Sequence, residues 1–252
     1  MDRYVDAGLA LAGGNALNVA VGLAGAGIES HYLGAVGRDE DGHLVLRTAS
    51  AASVDVSRVR RLDAPTGVTL VRLSHDGERS FVEERLGASG EYRVTDGDIA
   101  FMRSCGWVHM ANLAEADRVA AHLRGVPVSY DFALDHTQAA IERYAPRLAI
   151  AFFSGAGLAR DEAVALAGRA IDAGAEEVIV TRGRGGSMAV NSAVTEVPAQ
   201  PVEVVDTLGA GDALIAAVIS ARVRGLDLEE ALEAGSAAAA RACTHHGAWE
   251  QT

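Results

Sequence analysis

The segment Asp206-Thr207-Leu208-Gly209-Ala210-Gly211-Asp212 runs directly into an apolar stretch at residues 213–219. This pattern predicts a tight glycine turn that opens into a helix. The N–H groups of such a turn and the positive end of the helix dipole point at one spot, which suits a phosphate or a developing anion. The sequence therefore predicts an anion site at the start of this helix.

Asp212 brings a carboxylate to the same spot, where it would repel a phosphate that is merely bound. A carboxylate here fits a general base that removes the proton of a hydroxyl as the hydroxyl attacks phosphorus. We predict that Asp212 is this base in a small-molecule kinase. The N–H groups of Gly209, Ala210 and Gly211 would stabilise the transferred phosphoryl group. The alternative is an acidic residue favoured by the helix dipole, after a turn that needs small residues.

Composition narrows the class of protein. The 252 residues suffice for one large α/β domain, and 22 Lys and Arg against 34 Asp and Glu give a formal net charge of -12. This charge argues against a nucleic-acid or anionic-membrane partner. Cys105 and Cys243 lack the spacing of a metal or redox pair, and no apolar run reaches the roughly 18 residues of a membrane span. We expect a cytoplasmic protein.

The second half of the chain alternates between strand-like and helix-like runs. This alternation predicts a mainly parallel sheet covered by helices, with ligands at the carboxyl ends of the strands. Earlier, two β-prone runs flank His75-Asp76-Gly77, which predicts a hairpin. The predicted strands of the second half are 106–110, 126–132, 148–153, 177–181 and 187–190, and the predicted helices end at 124 or span 136–144 and 160–173.

Four segments in order resemble the motifs of the ribokinase-like (pfkB) sugar kinases. They are Gly13-Gly14-Asn15-Ala16-Leu17-Asn18-Val19-Ala20, Val36-Gly37-Arg38-Asp39-Glu40-Asp41-Gly42, Thr181-Arg182-Gly183-Arg184-Gly185-Gly186 and the segment at 206–212. The resemblance implies an α/β three-layer sandwich with a mainly parallel central sheet and a small β lid. It implies a single domain over residues 1–252, with lid strands at about 66–85.

A sugar site is implied near the N-terminus. Glycine backbone units and amide side chains can bind vicinal hydroxyls as donors and acceptors, although a lone Gly-Gly-Asn is more often a turn before a helix. The relatives begin with a strand that we expect to be missing here, and Asp2 matches the family's aspartate that closes the turn after that strand and contacts sugar hydroxyls. The implied sugar-binding residues are Asp2, Gly13, Gly14, Asn15 and Asn18.

ATP contacts are implied for Thr181, Gly183, Gly186 and Thr207, although a glycine-rich turn after a strand is often an ordinary hairpin loop. Asp206 either shapes the loop or helps to hold a monovalent cation, K⁺. Mg²⁺ is expected with ATP.

The Asn-x-x-Glu segment that often organises Mg²⁺ in the family has no counterpart at Phe153-Ser154-Gly155-Ala156-Gly157. Glu162 is the nearest glutamate downstream. ATP and water are therefore expected to hold most of the magnesium shell.

The resemblance implies an ATP-dependent kinase that phosphorylates a primary hydroxyl of a sugar or sugar-amine adduct. Among family members, those that phosphorylate fructoselysine are the most similar, through the segment at Gly13, Tyr130-Asp131-Phe132 and His246-Gly247-Ala248-Trp249. Fructokinase, ribokinase, nucleoside kinase and a non-catalytic sugar-binding paralogue stay open as alternatives. A homodimer through the lid is a further expectation.

Overall fold

The computed structural model describes residues 1–73 and 79–251. These residues form two compact units. Unit 1 contains residues 1–93, 201–220 and 237–252, and unit 2 contains residues 94–200 and 221–236. The single-domain organisation expected for residues 1–252 stays a prediction.

Unit 1 is built on a four-stranded sheet in the order β2-β1-β7-β8. In this sheet β1 runs parallel to β7, while the β1–β2 and β7–β8 pairs are antiparallel. Parallel two-stranded pairs β3–β5 and β4–β6 complete its β structure. The elements are β1 (Asp2–Tyr4), β2 (Leu9–Leu11), α1 (Asn15–Gly25), β3 (Ser30–His31), β4 (Ala35–Gly37), α2 (Glu40–Ala51), β5 (Val54–Asp55), β6 (Arg60–Leu62), β7 (Val68–Leu73), β8 (Arg79–Arg85) and α3 (Gly87–Glu91).

Both strands of the predicted lid hairpin are present as β7 and β8. Their predicted turn, His75-Asp76-Gly77, lies outside the described residues. Asp39, from the early Gly-Asp motif, caps α2 by accepting the N–H of Gly42 at 2.9 Å and also accepts the N–H of Thr66 at 2.8 Å. Burial alone would raise the pKa of Asp39, but a hydrogen bond from the hydroxyl of Thr66, together with these two, holds the pKa below its usual value. The motif thus ties α2 to the start of β7.

Unit 2 contains a six-stranded sheet in the order β14-β13-β12-β11-β10-β9. The strands β9 to β12 are parallel, and β13 and β14 continue the sheet as antiparallel strands. The elements are α4 (Asp96–Met102), β9 (Val108–Ala111), α5 (Ala116–His122), β10 (Val128–Asp131), α6 (Gln138–Tyr144), β11 (Ile150–Ser154), α7 (Arg160–Asp172), β12 (Glu177–Thr181), β13 (Ser187–Val190) and β14 (Val194–Val197). Two further helices, α8 (Ala210–Val223) and α9 (Leu228–Ala242), have residues in both units.

The inner strands of unit 2 are buried on both faces, as expected for parallel strands. In β11 the first four residues are buried, and in β12 so are Val178, Ile179 and Val180. The prediction of an α/β fold with a mainly parallel sheet is confirmed. Throughout the part of the chain that the structure describes, every helix is too short or too polar to cross a lipid bilayer.

His109 is a buried imidazole on β9. Its Nδ1 lies 2.9 Å from Oγ of Ser129, which also accepts a hydrogen bond from Nε1 of Trp107 at 2.9 Å. Its Nε2 is buried and has no hydrogen-bond partner among the described residues. Burial lowers the pKa of His109 to about 3, so the ring stays neutral in the folded protein at ordinary pH.

We predict that His109 makes the protein less stable in acid. Below the unfolded pKa of about 6.5, the unfolded chain takes up a proton that the folded chain refuses until about pH 3. The resulting loss of unfolding free energy is about 2 kcal/mol between pH 7.5 and pH 5. Urea unfolding at both pH values should show that His109→Gln lacks this loss. The exposed His122 gives the control, His122→Gln, which should keep it, and an unchanged pH dependence in His109→Gln would contradict the assignment.

Candidate active site

The predicted anion turn lies at the start of α8 in unit 1. Gly209 has φ 81°, and a Cβ there would overlap Ala248, so no larger residue fits. The N–H of Ala213 donates to the carbonyl of Gly209 at 2.8 Å, which closes the first helical turn. The helix begins at Ala210, and Asp212 lies in its first turn. N–H groups at such a helix start have no partner within the helix and can donate to an anion.

Close packing of α1 against α8 brings Asn18 to Asp212. A Cβ on Gly22 would lie 2.6 Å from Cβ of Ala216, so the two helices approach closely at this point. One turn earlier on each helix, Nδ2 of Asn18 donates to Oδ2 of Asp212 at 2.6 Å. Residues four apart share a helix face, so a single close contact positions this pair.

The amide nitrogen of Asn18 is hydrogen-bonded, whereas its amide oxygen is not. Asn18 is 7% exposed, and its Oδ1 is buried with no hydrogen-bond partner among the described residues. The bond to the carboxylate of Asp212 fixes which end is the nitrogen, since an amide oxygen there would repel the carboxylate. A buried, unpaired acceptor costs about 1–3 kcal/mol, and a hydroxyl donor would remove that cost.

Asp2 lies beside Gly13, the first residue of the Gly-Gly-Asn motif. It is 6% exposed, and a Cβ on Gly13 would overlap its Oδ2. Gly14 precedes α1 with φ 127°, a conformation that favours glycine, and Asn15 is the first helical residue. Unit 1 therefore contains, on linked elements, all five predicted sugar-binding residues together with the anion turn and Asp212.

Asp206 is fully buried and accepts hydrogen bonds from three protein donors. The N–H of Leu208 donates to Oδ1 at 2.8 Å, and the hydroxyl of Tyr4 donates to Oδ2 at 2.5 Å. The N–H of Gly247 also donates to Oδ2, at 2.9 Å. Burial, followed by the bond to Asp206, raises the pKa of Tyr4, so its hydroxyl keeps its proton and acts as a donor. This geometry gives Asp206 a role in shaping the loop, and its K⁺ role stays a prediction.

The segment after α9 contacts the anion turn and the residue that precedes the Gly-Gly motif. Ala248 packs on Gly209 of the anion turn. Gln251 pairs twice with Ala12, the residue before the Gly-Gly motif: its Nε2 donates to the carbonyl at 2.7 Å, and its Oε1 accepts the N–H at 2.9 Å. Tyr4 and Gly247 were not among the predicted site residues, because nothing in the local sequence marks either as a partner of Asp206.

The predicted nucleotide turn lies in unit 2 and joins β12 to β13. Thr181 is the last residue of β12, and a short 3₁₀ turn follows at Gly183–Gly185. Gly183 has φ 55° and Gly186 has φ 82°, and a Cβ on Gly186 would overlap the carbonyl of Val197. The turn is thus a hairpin loop, which was the alternative interpretation. A hairpin loop can also contact a nucleotide, so the ATP contacts stay a prediction. Thr207, the remaining predicted ATP contact, lies in unit 1 beside the anion turn.

The segment at 153–157, where the family often has its Mg²⁺-organising motif, contains no carboxylate. Glu162 accepts the N–H of Ala159 at 2.8 Å and so caps α7. Within residues 1–73 and 79–251, no group of three or more His, Cys, Asp or Glu side chains is arranged to hold a metal ion. The described residues therefore show no ready cluster of metal ligands.

The family model of the pfkB family carbohydrate kinases matches residues 8–251. This chain belongs to that family. The prediction of a carbohydrate kinase, a transferase with an alcohol acceptor, is confirmed.

Curated relatives and a solved structure support the same assignment. The pfkB-family chain is 34% identical to a fructosamine kinase of Bacillus subtilis, over 99% of this chain and 89% of that protein. It is also 34% identical to the fructoselysine 6-kinase of Escherichia coli, over 99% and 96% of the two chains. The structure of Arabidopsis thaliana ribokinase complexed with ribose and ATP matches with a TM-score of 0.82 at 25% identity, over 94% of this chain and 82% of that one. The ribokinase-like fold is confirmed.

We predict that Tyr4→Phe lowers both the stability and the turnover of the protein, because it removes a hydrogen bond that holds the anion turn. The substitution removes one donor from a buried carboxylate, which should lower the free energy of unfolding by about 1.5–3 kcal/mol. Urea unfolding and turnover should both show the loss. Tyr130 provides a control because it is buried in unit 2 and no described side chain forms a hydrogen bond with its hydroxyl. Equal stability of Tyr4→Phe and Tyr130→Phe would argue against the proposed bond.

We predict that Asn18→Ala lowers kcat about tenfold to a hundredfold, because a donor to a charged group is lost. The acid limb of the pH profile of kcat should move to higher pH, since that donor favours the ionised carboxylate of Asp212. Steady-state kinetics between pH 5 and pH 9 measure both effects. Asn191→Ala, in unit 2, is the control and should behave as wild type. A variant that loses affinity for sugar alone, with an unshifted acid limb, would show that Asn18 does not position Asp212.

Proposed function

We propose that this kinase transfers the γ-phosphoryl group of ATP to a primary hydroxyl of a fructosamine, a sugar-amine adduct such as fructoselysine. The acceptor class is supported by two relatives, named fructosamine kinase and fructoselysine 6-kinase, each 34% identical over 99% of this chain. The use of ATP is supported by the family and by the ribokinase structure, which holds ribose and ATP.

The observation that carries the proposal is the hydrogen bond between Asn18 and Asp212 at the start of α8, 2.6 Å long. The carboxylate that accepts this bond lies in the first turn of α8, next to the N–H groups of the Gly-Ala-Gly turn. In a site that only binds phosphate, a carboxylate would repel the ligand. Phosphoryl transfer to an alcohol, by contrast, needs a proton acceptor beside an anion site.

In the proposed reaction Asp212 takes the proton of the sugar hydroxyl. The hydroxyl oxygen forms a bond to the γ-phosphorus, and the bond from that phosphorus to the bridging oxygen breaks, which leaves ADP. The N–H groups of Gly209, Ala210 and Gly211 donate to the phosphoryl oxygens as charge develops on them. Asp2 and Asn18 bind sugar hydroxyls, and Oδ1 of Asn18 supplies an acceptor.

On the nucleotide side, the proposed contacts are Thr181, Gly183 and Gly186, with Thr207 beside the anion turn. Gly183, Gly185 and Gly186 leave three positions of the turn without a side chain, which supports close approach of a nucleotide there. Mg²⁺, where bound with ATP, would offset phosphate charge while ATP and water supply its ligands. A cytoplasmic location, a K⁺ near Asp206 and a homodimer through the lid complete the proposal.

We predict that Asp212→Asn keeps the fold and loses turnover by a factor of about 10²–10⁴, the usual contribution of a general base. A coupled ADP assay measures the loss, and circular dichroism checks the fold. The control is Asp63→Asn, because the side chain of Asp63 is 97% exposed. Wild-type turnover in Asp212→Asn would contradict the assignment of the base.

The acceptor is tested with a panel of fructoselysine, fructose, ribose and adenosine. We expect the highest kcat/KM for fructoselysine. A higher value for one of the others would assign the chain to that kinase class. Calorimetric sugar binding without ADP formation would instead favour a non-catalytic sugar-binding protein.

A further inference from the structure

The sheet of unit 1 carries a row of three polar residues on one face. Asp2 on β1 is in register with Thr69 on β7, and Thr69 is in register with Glu84 on β8. Residues in register on neighbouring strands point to the same face. Strands are about 4.8 Å apart, so Glu84 lies roughly 10 Å from Asp2 across the sheet.

Exposure rises along this row. Asp2 is buried, Thr69 is half-buried and Glu84 is exposed. A ligand that placed its sugar beside Asp2 and extended along the row would therefore pass from an enclosed end to an open end. A sugar with a long substituent on its amine has this shape.

Glu83, the neighbour of Glu84, faces the other way and is already paired. It is in register with Leu70 and Arg3, and it accepts two hydrogen bonds from Arg85 at 2.7 and 2.8 Å. That pairing lowers the pKa of Glu83. By contrast, no side chain within residues 1–73 and 79–251 forms an ion pair or a hydrogen bond with the carboxylate of Glu84.

The next row on the same face consists of Tyr4, Val71 and Phe81. Val71 is fully buried, and Phe81 is 55% exposed. Neither row carries a basic residue, and Arg3, on the opposite face, is paired with Asp41 at 2.7 Å. This face thus offers a carboxylate and an apolar ring side by side, which suits an ammonium group attached to a methylene chain.

We propose that Glu84 is a specificity-determining residue that binds the protonated amine of the sugar adduct, with Phe81 packing on the chain attached to that amine. The inference rests on the proposed function, since it concerns the same acceptor. The reacting hydroxyl lies at Asp212, the remaining sugar hydroxyls lie at Asp2, and the amine end extends along the row toward β8.

The test compares Glu84→Gln, Glu84→Asp and Glu83→Gln with wild type, using fructoselysine and fructose as acceptors. Fructose lacks the amine. Glu84→Gln should raise KM for fructoselysine about tenfold with little change in kcat, because the contact binds ground and transition states alike. It should leave kcat/KM for fructose unchanged. Glu84→Asp should restore part of the affinity, and Glu83→Gln should match wild type with both acceptors.

Salt provides an independent readout. The wild-type advantage over Glu84→Gln with fructoselysine should shrink as the salt concentration rises, because salt screens the charge pair. Equal loss with both acceptors, or no loss with fructoselysine, would overturn the role of Glu84 while leaving the proposed function intact. A wild-type enzyme that phosphorylates fructose but not fructoselysine would overturn the proposed function and this inference with it.

Discussion

The anion turn depends on the hydrogen bonds that three donors make to the buried carboxylate of Asp206. Removing a charge from water is costly, and Asp206 is fully buried. The donors that offset this cost come from β1, from the turn itself and from the segment after α9. Because these three segments are far apart in sequence, the turn can adopt its conformation only when all three have packed together.

A second constraint is steric. Gly22 and Ala216 let α1 and α8 approach until no Cβ fits between them, and the polar pair Asn18 and Asp212 lies one turn away. Small residues at the crossing thus fix the distance between Asn18 and Asp212. The chemistry proposed for Asp212 therefore depends on the packing of Gly22 against Ala216.

Local signals in the sequence predicted the start of α8, the strands β12 and β13 and the helix α7 almost to the residue. Each follows from short-range patterns: a glycine turn before an apolar run, a short β-prone run, or a helical period. The anion turn and the sugar motif were also inferred from contiguous residues, and their roles stay predictions.

Long-range pairing could not be predicted in this way. Tyr4 and Asp206 are 202 residues apart, and a single tyrosine in a polar N-terminal stretch carries no sign of its partner. The opposite faces of Glu83 and Glu84 also depend on strand register, which includes an irregularity between Leu70 and Val71. Glu162, the nearest glutamate downstream of the segment at 153–157, caps α7, a role that depends on where the helix begins.

The contact between Gly209 and Ala248 has an evolutionary consequence. A Cβ at position 209 would overlap the backbone and the side chain of Ala248, so any larger residue there would require the segment after α9 to withdraw. Gly209 also has φ 81°, which favours glycine. Position 209 should therefore stay glycine in every relative that keeps this packing, with residue 248 as a wall of the turn.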